Sequence, residues 1–588
     1  MKRPDRDEMN GDSKKLTPKK IWDEYQAGLA YNDSIQLSET VRVNENFFVG
    51  KQWEGVESNG LPTPVFNFLK RVTLFTVASN TSENIKLKAT PLTAAGSDKD
   101  VKMAAEVANA IFEALFEKNK ISALIREYMR NAAVDGDAAM YTWWNPDIEA
   151  GNGKKGEIVT EIINNTRVFF GNVADRRVQT QPYILIKRRE MTNKLRIKAK
   201  KYGCQQWDEI KEDTDEQYQD YYKDTGGKTT VIMRMWRDDD TDEIWACEAV
   251  EGIIIRKPWN LGLKLYPITW LCWDYVQDNY HGQAMLTGLI PNQIYINKTF
   301  AMAMISLMTT AYPKVVYDKT RVSKWDNRIG QAIGINGGDV NNVARILDPG
   351  QISPQIAQFI QLAQDMTQSN LGATSVALGD TRPDNTSAII ALQRAASTPN
   401  ELTKQNLYQS IEELGQIYLD FMGEYYGTRP ANISTSYITD EIGQEVMNFV
   451  GDVLPQTNDG KITVDFDYKI FKKVPMMLKL DVGASAYWSE IASTQTLDNL
   501  LTLGQIDIIE YLERVPDGYI TDRQGLINSI KARRGQAAQQ MPTQDGGQGN
   551  GPNVEPPPQQ AEAQFNAIPT RGGQGNGELQ RALTNMAF

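Results

Sequence analysis

The amino-acid sequence predicts a mixed α+β chain, and three kinds of stretch carry that prediction. Between residues 100 and 131, Ala104, Val107, Ala108, Ile111, Leu115, Ile121, Leu124, Ile125 and Tyr128 recur at helical spacing, with Asn119 marking an internal break. Residues 157–171, 182–189, 229–238 and 243–255 are instead rich in β-branched and aromatic residues, as sheet strands are. A third kind of stretch, Asn292 to Met308, reads as a helix almost without charge. A surface helix normally carries a charged face, so this one is expected to be covered on most sides.

The remaining elements follow from local signals. In RVNENFFVGKQWEG, Phe47, Phe48 and Trp53 lie beside Gly50 and Gly55, which predicts a helix ending at the first glycine and then a turn. The prolines Pro62 and Pro64 lead into a helix expected to bury Phe68, Val72, Phe75 and Ala78 or Ser79. Residues 194–222 are charged and helical at their start, and residues 266–274, YPITWLCWD, are β-prone. The uncharged helix is expected to be interrupted around Pro291. Short strands and turns fill 313–350, a second helix opens with Pro354 in its first turn, and a third runs from about 386 to 426 with a break at Pro399. In KITVDFDYKI, Ile462, Val464, Phe466, Tyr468 and Ile470 alternate onto one face, and helices follow at about 484–501 and 505–514. After Arg534 the composition shifts to Gln, Gly, Pro and Asn, too poor in apolar surface to offset the entropy of ordering.

Composition bounds the function. The 588 residues show no evident internal repeat and leave room for roughly two to four domains. The three cysteines are too few and too scattered for a disulfide framework and fit a reducing compartment. The opening MKRPDRDEMNGDSKK is charged without an apolar stretch behind it, so no secretory leader is expected. The longest apolar run, Thr299 to Tyr312, falls short of the roughly 20 residues that span a bilayer. With 63 Lys and Arg against 74 Asp and Glu, the net charge of −11 argues against a tight grip on duplex DNA, though not against a conduit for it.

Enzymatic chemistry finds little support. His281 is the one histidine, so a histidine-based triad or a His-rich metal site has no second member; a structural or surface role is expected. Asp238, Asp239, Asp240, Asp242 and Glu243 form a consecutive run, the mark of a solvated turn rather than of carboxylates converging on metals. TGGKTT at 225–230 lacks the glycine spacing of a phosphate loop and reads as a hairpin turn. The basic stretches 187–189 and 194–201 are expected at a surface or subunit contact, without the interleaved aromatics of a single-strand binder. No cofactor, metal site or catalytic residue is expected.

The order of elements from 279 to 426 resembles the portal proteins of tailed bacteriophages, of podovirus-like or related type. HGQAMLTGLIPNQIYIN, with Gln293 and Asn297, is similar to the lead-in of their first stem helix, and TSAIIALQRAA, with Ser387, Ala388 and Ala391, to the small-residue start of their long helix. Gly50, Gln52 and Trp53, then Asn67 before an amphipathic helix, resemble the family's N-terminal segment.

That resemblance implies a portal-type fold assembled as a ring. Residues 1–285 would form the N-terminal part of the wing, 286–311 the first stem helix, 312–350 the clip, 351–372 the second stem helix and 373–385 the tunnel loop. The long helix and remaining wing would take 386–480, a crown 481–535, and a mostly disordered tail 536–588. Stem packing would fall to Met302, Met304, Ile305, Met308, Ile356, Phe359, Ala363 and Met366, and the tunnel loop would present Asp380, Arg382 and Asp384. The implied assembly is a homo-oligomer, typically a dodecamer, built in the host cytoplasm and placed at one capsid vertex. Its implied partners are major capsid and scaffolding proteins, the terminase large subunit, head-completion or tail adaptor proteins, and double-stranded DNA passing non-specifically. Two other classes stay open: an enzyme such as a nuclease or motor ATPase, and another structural virion or head–tail connector protein without the tunnel role. The missing phosphate loop and scarce histidine weigh against the first, and the β-rich sections weigh against a purely helical scaffold.

Overall fold

The computed structural model describes residues 16–82, 85–91, 99–151, 154–214, 227–311, 315–326, 333–346, 400–434, 461–474, 476–482 and 497–515, with single positions between 358 and 366 and between 523 and 533. The chain divides into two units, residues 1–493 and 494–588.

The first unit opens with three helices, α1 (Pro18–Ser34), α2 (Leu37–Val49) and α3 (Phe68–Asn80). Thr17 caps α1 by accepting from the Lys20 amide, and Pro18 fills the first turn, where an amide would lack a partner anyway. Gly50, at φ 98°, ends α2 as the sequence predicts. The buried side of α3 differs from expectation: Leu69, Val72, Thr73, Thr76 and Val77 are buried, while Phe75 is half-buried and Ala78 exposed. The threonines make this possible, because Thr73 and Thr76 donate their hydroxyls to the carbonyls of Leu69 and Val72 one turn back.

Strand β1 (Ile85–Pro91) precedes α4 (Lys99–Lys118) and α5 (Ile121–Asp135), which meet at the break predicted at Asn119. Next come β2 (Asp137–Gly151), β3 (Lys154–Ile163), β4 (Val168–Phe170), β5 (Tyr183–Met191), α6 (Thr192–Lys201), β6 (Lys228–Arg237), β7 (Ile244–Val250), β8 (Ile253–Asn260) and β9 (Ile268–Cys272). They form two antiparallel sheets, in the orders β3-β2-β9 and β4-β5-β6-β7-β8. The five-stranded sheet is buried on both faces, and strand alternation divides its side chains between two cores. Phe169, Leu185, Ile232 and Trp236 meet Ile21 and Tyr25 of α1. Phe170, Ile184, Ile186, Met233 and Met235 face the main core.

The remainder of the unit holds α7 (Met285–Ala311), β10 (Val315–Tyr317), β11 (Ala344–Ile346), α8 (Glu401–Phe421), β12 (Thr428–Ser434), β13 (Lys461–Asp467) and β14 (Met476–Val482). Pro291 does not interrupt α7, which is one helix with the proline inside it. The alternation of β13 stops at Asp467, and a 3-10 turn carries Tyr468 to Lys472, so Ile470 is not part of the strand. Distant segments close the fold: β14 pairs with β1, and β12 with β13. Tyr418 of α8 sits within hydrogen-bond distance of Thr160, which reaches Thr142, while Tyr128 of α5 meets Ser410. These hydroxyls satisfy one another inside an otherwise apolar core.

In the second unit, α9 (Ile508–Arg514) begins with a capping box between Asp507 and Glu510, and Leu512, Val515 and Ile527 are buried. The segments expected to form the second stem helix, the tunnel loop and the start of the long helix span 351–399, where only Gln358, Gln361, Leu362, Asp365 and Met366 are described; Ile356, Phe359, Ala363, Asp380, Arg382 and Asp384 lie outside the described residues.

Candidate functional site

Helix α7 is the element on which the sequence expectations converge, and its base is locked to the body. Leu286 and Ile290 enter a cluster with Phe47 and Phe48 of α2, Leu69 of α3 and Val134 of α5. Around this cluster runs a chain of buried amides. Gln293 donates to the Phe66 carbonyl at 2.7 Å and to Asn297 Oδ1 at 2.9 Å, and Asn297 donates to Gln52 Oε1 at 2.6 Å. Gln52 in turn donates to the Phe47 carbonyl, and Asn44 donates to Thr287 Oγ1 and the Val134 carbonyl. The Gly-x-Gln-Trp segment is therefore the clamp that holds α7. Its Trp53 donates to the Pro64 carbonyl, and Asn67 both caps α3 and donates to the Phe48 carbonyl.

The approach to α7 is equally constrained. Gly136 ends α5 at φ 103°, and a Cβ there would lie 2.6 Å from the Gly282 carbonyl oxygen. Only glycine admits both that conformation and that approach. Beside this contact His281 is buried, not superficial: Nδ1 lies 3.0 Å from Asp137 Oδ2 and Nε2 lies 3.2 Å from Asn32 Oδ1. Asp137 Oδ2 also accepts from the Gly282 amide at 2.9 Å. The histidine thus joins α1, β2 and the lead-in to α7.

Next to this junction, burial pushes the Asp135 carboxyl up from 3.8 to about 7, against the opposing pull of Arg130 and with help from Glu45 and Asp137. A carboxyl raised on folding favours the neutral form, so its contribution is full below about pH 4 and is lost as pH rises through 7. Asp135→Asn is expected to match the wild type at pH 4 and to exceed it by about 1–3 kcal/mol at pH 8. Urea unfolding at the two pH values checks this, and a pH-independent difference would contradict it.

Beyond Phe300 the helix leaves its support. Met302 is 59% exposed, Leu307 63% and Met308 53%, with Met304 exposed and Ile305 half-buried. Among the described residues, the covering expected from the missing charge is thus absent. Lys298 is the single charged residue between Met285 and Ala311. After the helix, β10 and β11 pair as a short antiparallel ladder, with Val322 and Val343 buried behind it and Tyr317 stacked on Trp325. Met366 is exposed on its own segment.

The family model described as phage P22-like portal protein matches residues 184–472, from β5 through α7, the β10–β11 ladder and α8 to the turn after β13. Over that span, just under half of the 588 residues, the chain is similar to tailed-phage portal proteins. No match is found among curated proteins. The portal family is structural rather than enzymatic, and among the described residues no group of acidic, histidine or cysteine side chains is arranged to hold a metal. No described helix of the chain is long and apolar enough to cross a membrane.

The acidic and basic runs of the sequence have structural places. Asp238 is buried and accepts from the amide and hydroxyl of Thr241, which makes the acidic run a self-capped turn between β6 and β7. Asp242 pairs with Arg237, and Glu243 accepts from Asn260. The basic stretch 187–189 serves the interior: Lys187 is buried over the Tyr25 ring, Arg188 pairs with Glu161, and Arg189 pairs with Asp213. Gln52, Gln293 and Asn297 are brought together, whereas Asn32, Asn44 and Asp137 carried no sequence signal that singled them out.

Proposed function

We propose that this chain is a portal protein and assembles into a ring whose central channel passes double-stranded DNA into and out of the capsid at one vertex. In this reading α7 is the first stem helix and residues 312–350 form the clip. Residues 351–372 supply the second stem helix, Ala373 to Asn385 the tunnel loop with Asp380, Arg382 and Asp384, and 481–535 a crown. Terminase docks for packaging, and head-completion or tail adaptors follow it.

One observation carries the reading. The tip of α7 is apolar on opposite sides and bare on both. Met302 and Met304 are two positions apart, roughly 200° around a helix, and both are exposed. A helix apolar all round needs cover all round. A neighbour on each side supplies it, and head-to-tail contacts between identical copies close into rings. The net charge of −11 fits a conduit that does not hold its cargo by phosphate neutralisation.

Native mass spectrometry of the purified protein tests the assembly. A single large homo-oligomer is expected, with twelve copies the number the family resemblance implies. Dimers or trimers as the sole assembly, from infected lysate as from recombinant protein, would contradict it.

A further inference from the structure

A second apolar surface lies beside α7 and has a partner of its own to find. The segment from Val56 to Phe66 has no regular secondary structure, yet it is held at both ends. The Val56 amide donates to the Trp53 carbonyl, Trp53 Nε1 to the Pro64 carbonyl, and Gln293 to the Phe66 carbonyl. The Phe66 ring stacks on Phe300 with centroids 4.0 Å apart. Despite that anchorage Val56, Leu61, Val65 and Phe66 remain exposed, with Val56 at 56% and Leu61 at 55%. A fixed backbone presenting four exposed apolar side chains is a preformed surface.

The other side of α7 offers a match. Tyr295 and Met302 are exposed and lie two turns apart, on one face. Lys298 stands between them, roughly 200° around the helix from Phe300 and so away from the Val56–Phe66 segment. Lys298 has no ion-pair partner among the described residues, and neither has Glu57, the exposed acid next to Val56. Each surface therefore pairs exposed apolar groups with one charge, and the charges are opposite.

We propose that these surfaces are the two halves of one contact between neighbouring copies, with Glu57 of one copy against Lys298 of the next. The inference rests on the ring reading and assigns it a specific contact. Because the two surfaces lie on opposite sides of one helix, each copy offers one half to each neighbour, which is the head-to-tail geometry a ring requires. Oppositely charged groups in such a contact set register and exclude wrong pairings.

Charge reversal tests it. Lys298→Glu and Glu57→Lys, made singly, are each expected to raise the protein concentration needed for assembly by roughly tenfold, since like charges then meet at every contact. Both sites are exposed, so each variant should keep the wild-type melting temperature and circular dichroism. The double variant restores the opposite pairing and should assemble like the wild type. Single variants that assemble normally, or a double variant no better than the singles, would overturn this contact while leaving the ring intact. A wild-type protein that forms no ring at all would remove the ring reading itself.

Discussion

Replacing Asp137 with alanine is expected to destabilise the protein by about 3 kcal/mol or more, because buried partners lose their acceptor together. Asp137 Oδ2 lies against both the Gly282 amide and His281 Nδ1, in a site closed to solvent. Neither group can turn toward water, since Gly282 is packed against Gly136 and His281 is flanked by Tyr280 and Trp270. Asp137→Asn keeps an oxygen for the Gly282 amide and should cost markedly less, about 1 kcal/mol. Chemical denaturation measures both. The single histidine also gives a clean probe, as its ring resonances should shift in both variants while the rest of the spectrum keeps its dispersion. Equal stability of the alanine and asparagine variants would show that the carboxyl group does not hold the junction.

Asn297→Leu is expected to cost about 2–3 kcal/mol and to impair assembly beyond its effect on folding. Asn297 connects Gln293, one turn earlier on α7, to Gln52 of the N-terminal clamp. Leucine keeps the same branching and number of side-chain heavy atoms but leaves Gln52 Oε1 without that donor and removes an acceptor from Gln293. Buried amides that lose partners are costly, and a chain of them fails as a unit. The change also loosens the grip of residues 52–66 on α7, so the exposed tip loses its fixed direction. Comparison with Thr309→Leu, at the exposed end of the helix, separates the two effects. Asn297→Leu should lower both the urea midpoint and the yield of oligomer, while Thr309→Leu should leave the urea midpoint unchanged. An Asn297→Leu protein with normal stability and normal assembly would refute the clamp.

Much of the architecture was legible because it is written in local periodicity. The strands β5 to β8 each contain runs of β-branched, aromatic and other apolar residues, and α4 and α5 part where Asn119 and Lys120 interrupt the pattern, with Lys120 at φ 51°. Gly50 announces the end of α2 through the left-handed conformation it permits. Local rules misplaced the face of α3, since a threonine that bonds its own helix backbone can be buried where spacing would favour phenylalanine. They also overstated Pro291, which α7 accommodates within one continuous helix. The junction at the base of α7 was the least legible part. His281 and Asn32 are separated by 249 positions, and Asn297 and Gln52 by 245, so no spacing rule brings them together. Gln52, Gln293 and Asn297 stood out through family resemblance, but their mutual bonding is a product of the tertiary fold. The acidic run at 238–243 misled in part, because Asp238 turns inward to cap its own turn.

The central claim is that the bare, apolar tip of α7 faces neighbouring copies around a channel, and electron microscopy of the purified protein tests it most directly. The expected image is a ring with a central hole wide enough for duplex DNA, in which residues 302–311 of each copy pack between those of its two neighbours. Compact monomers at high protein concentration, or rings in which those residues face solvent away from any neighbour, would contradict the account.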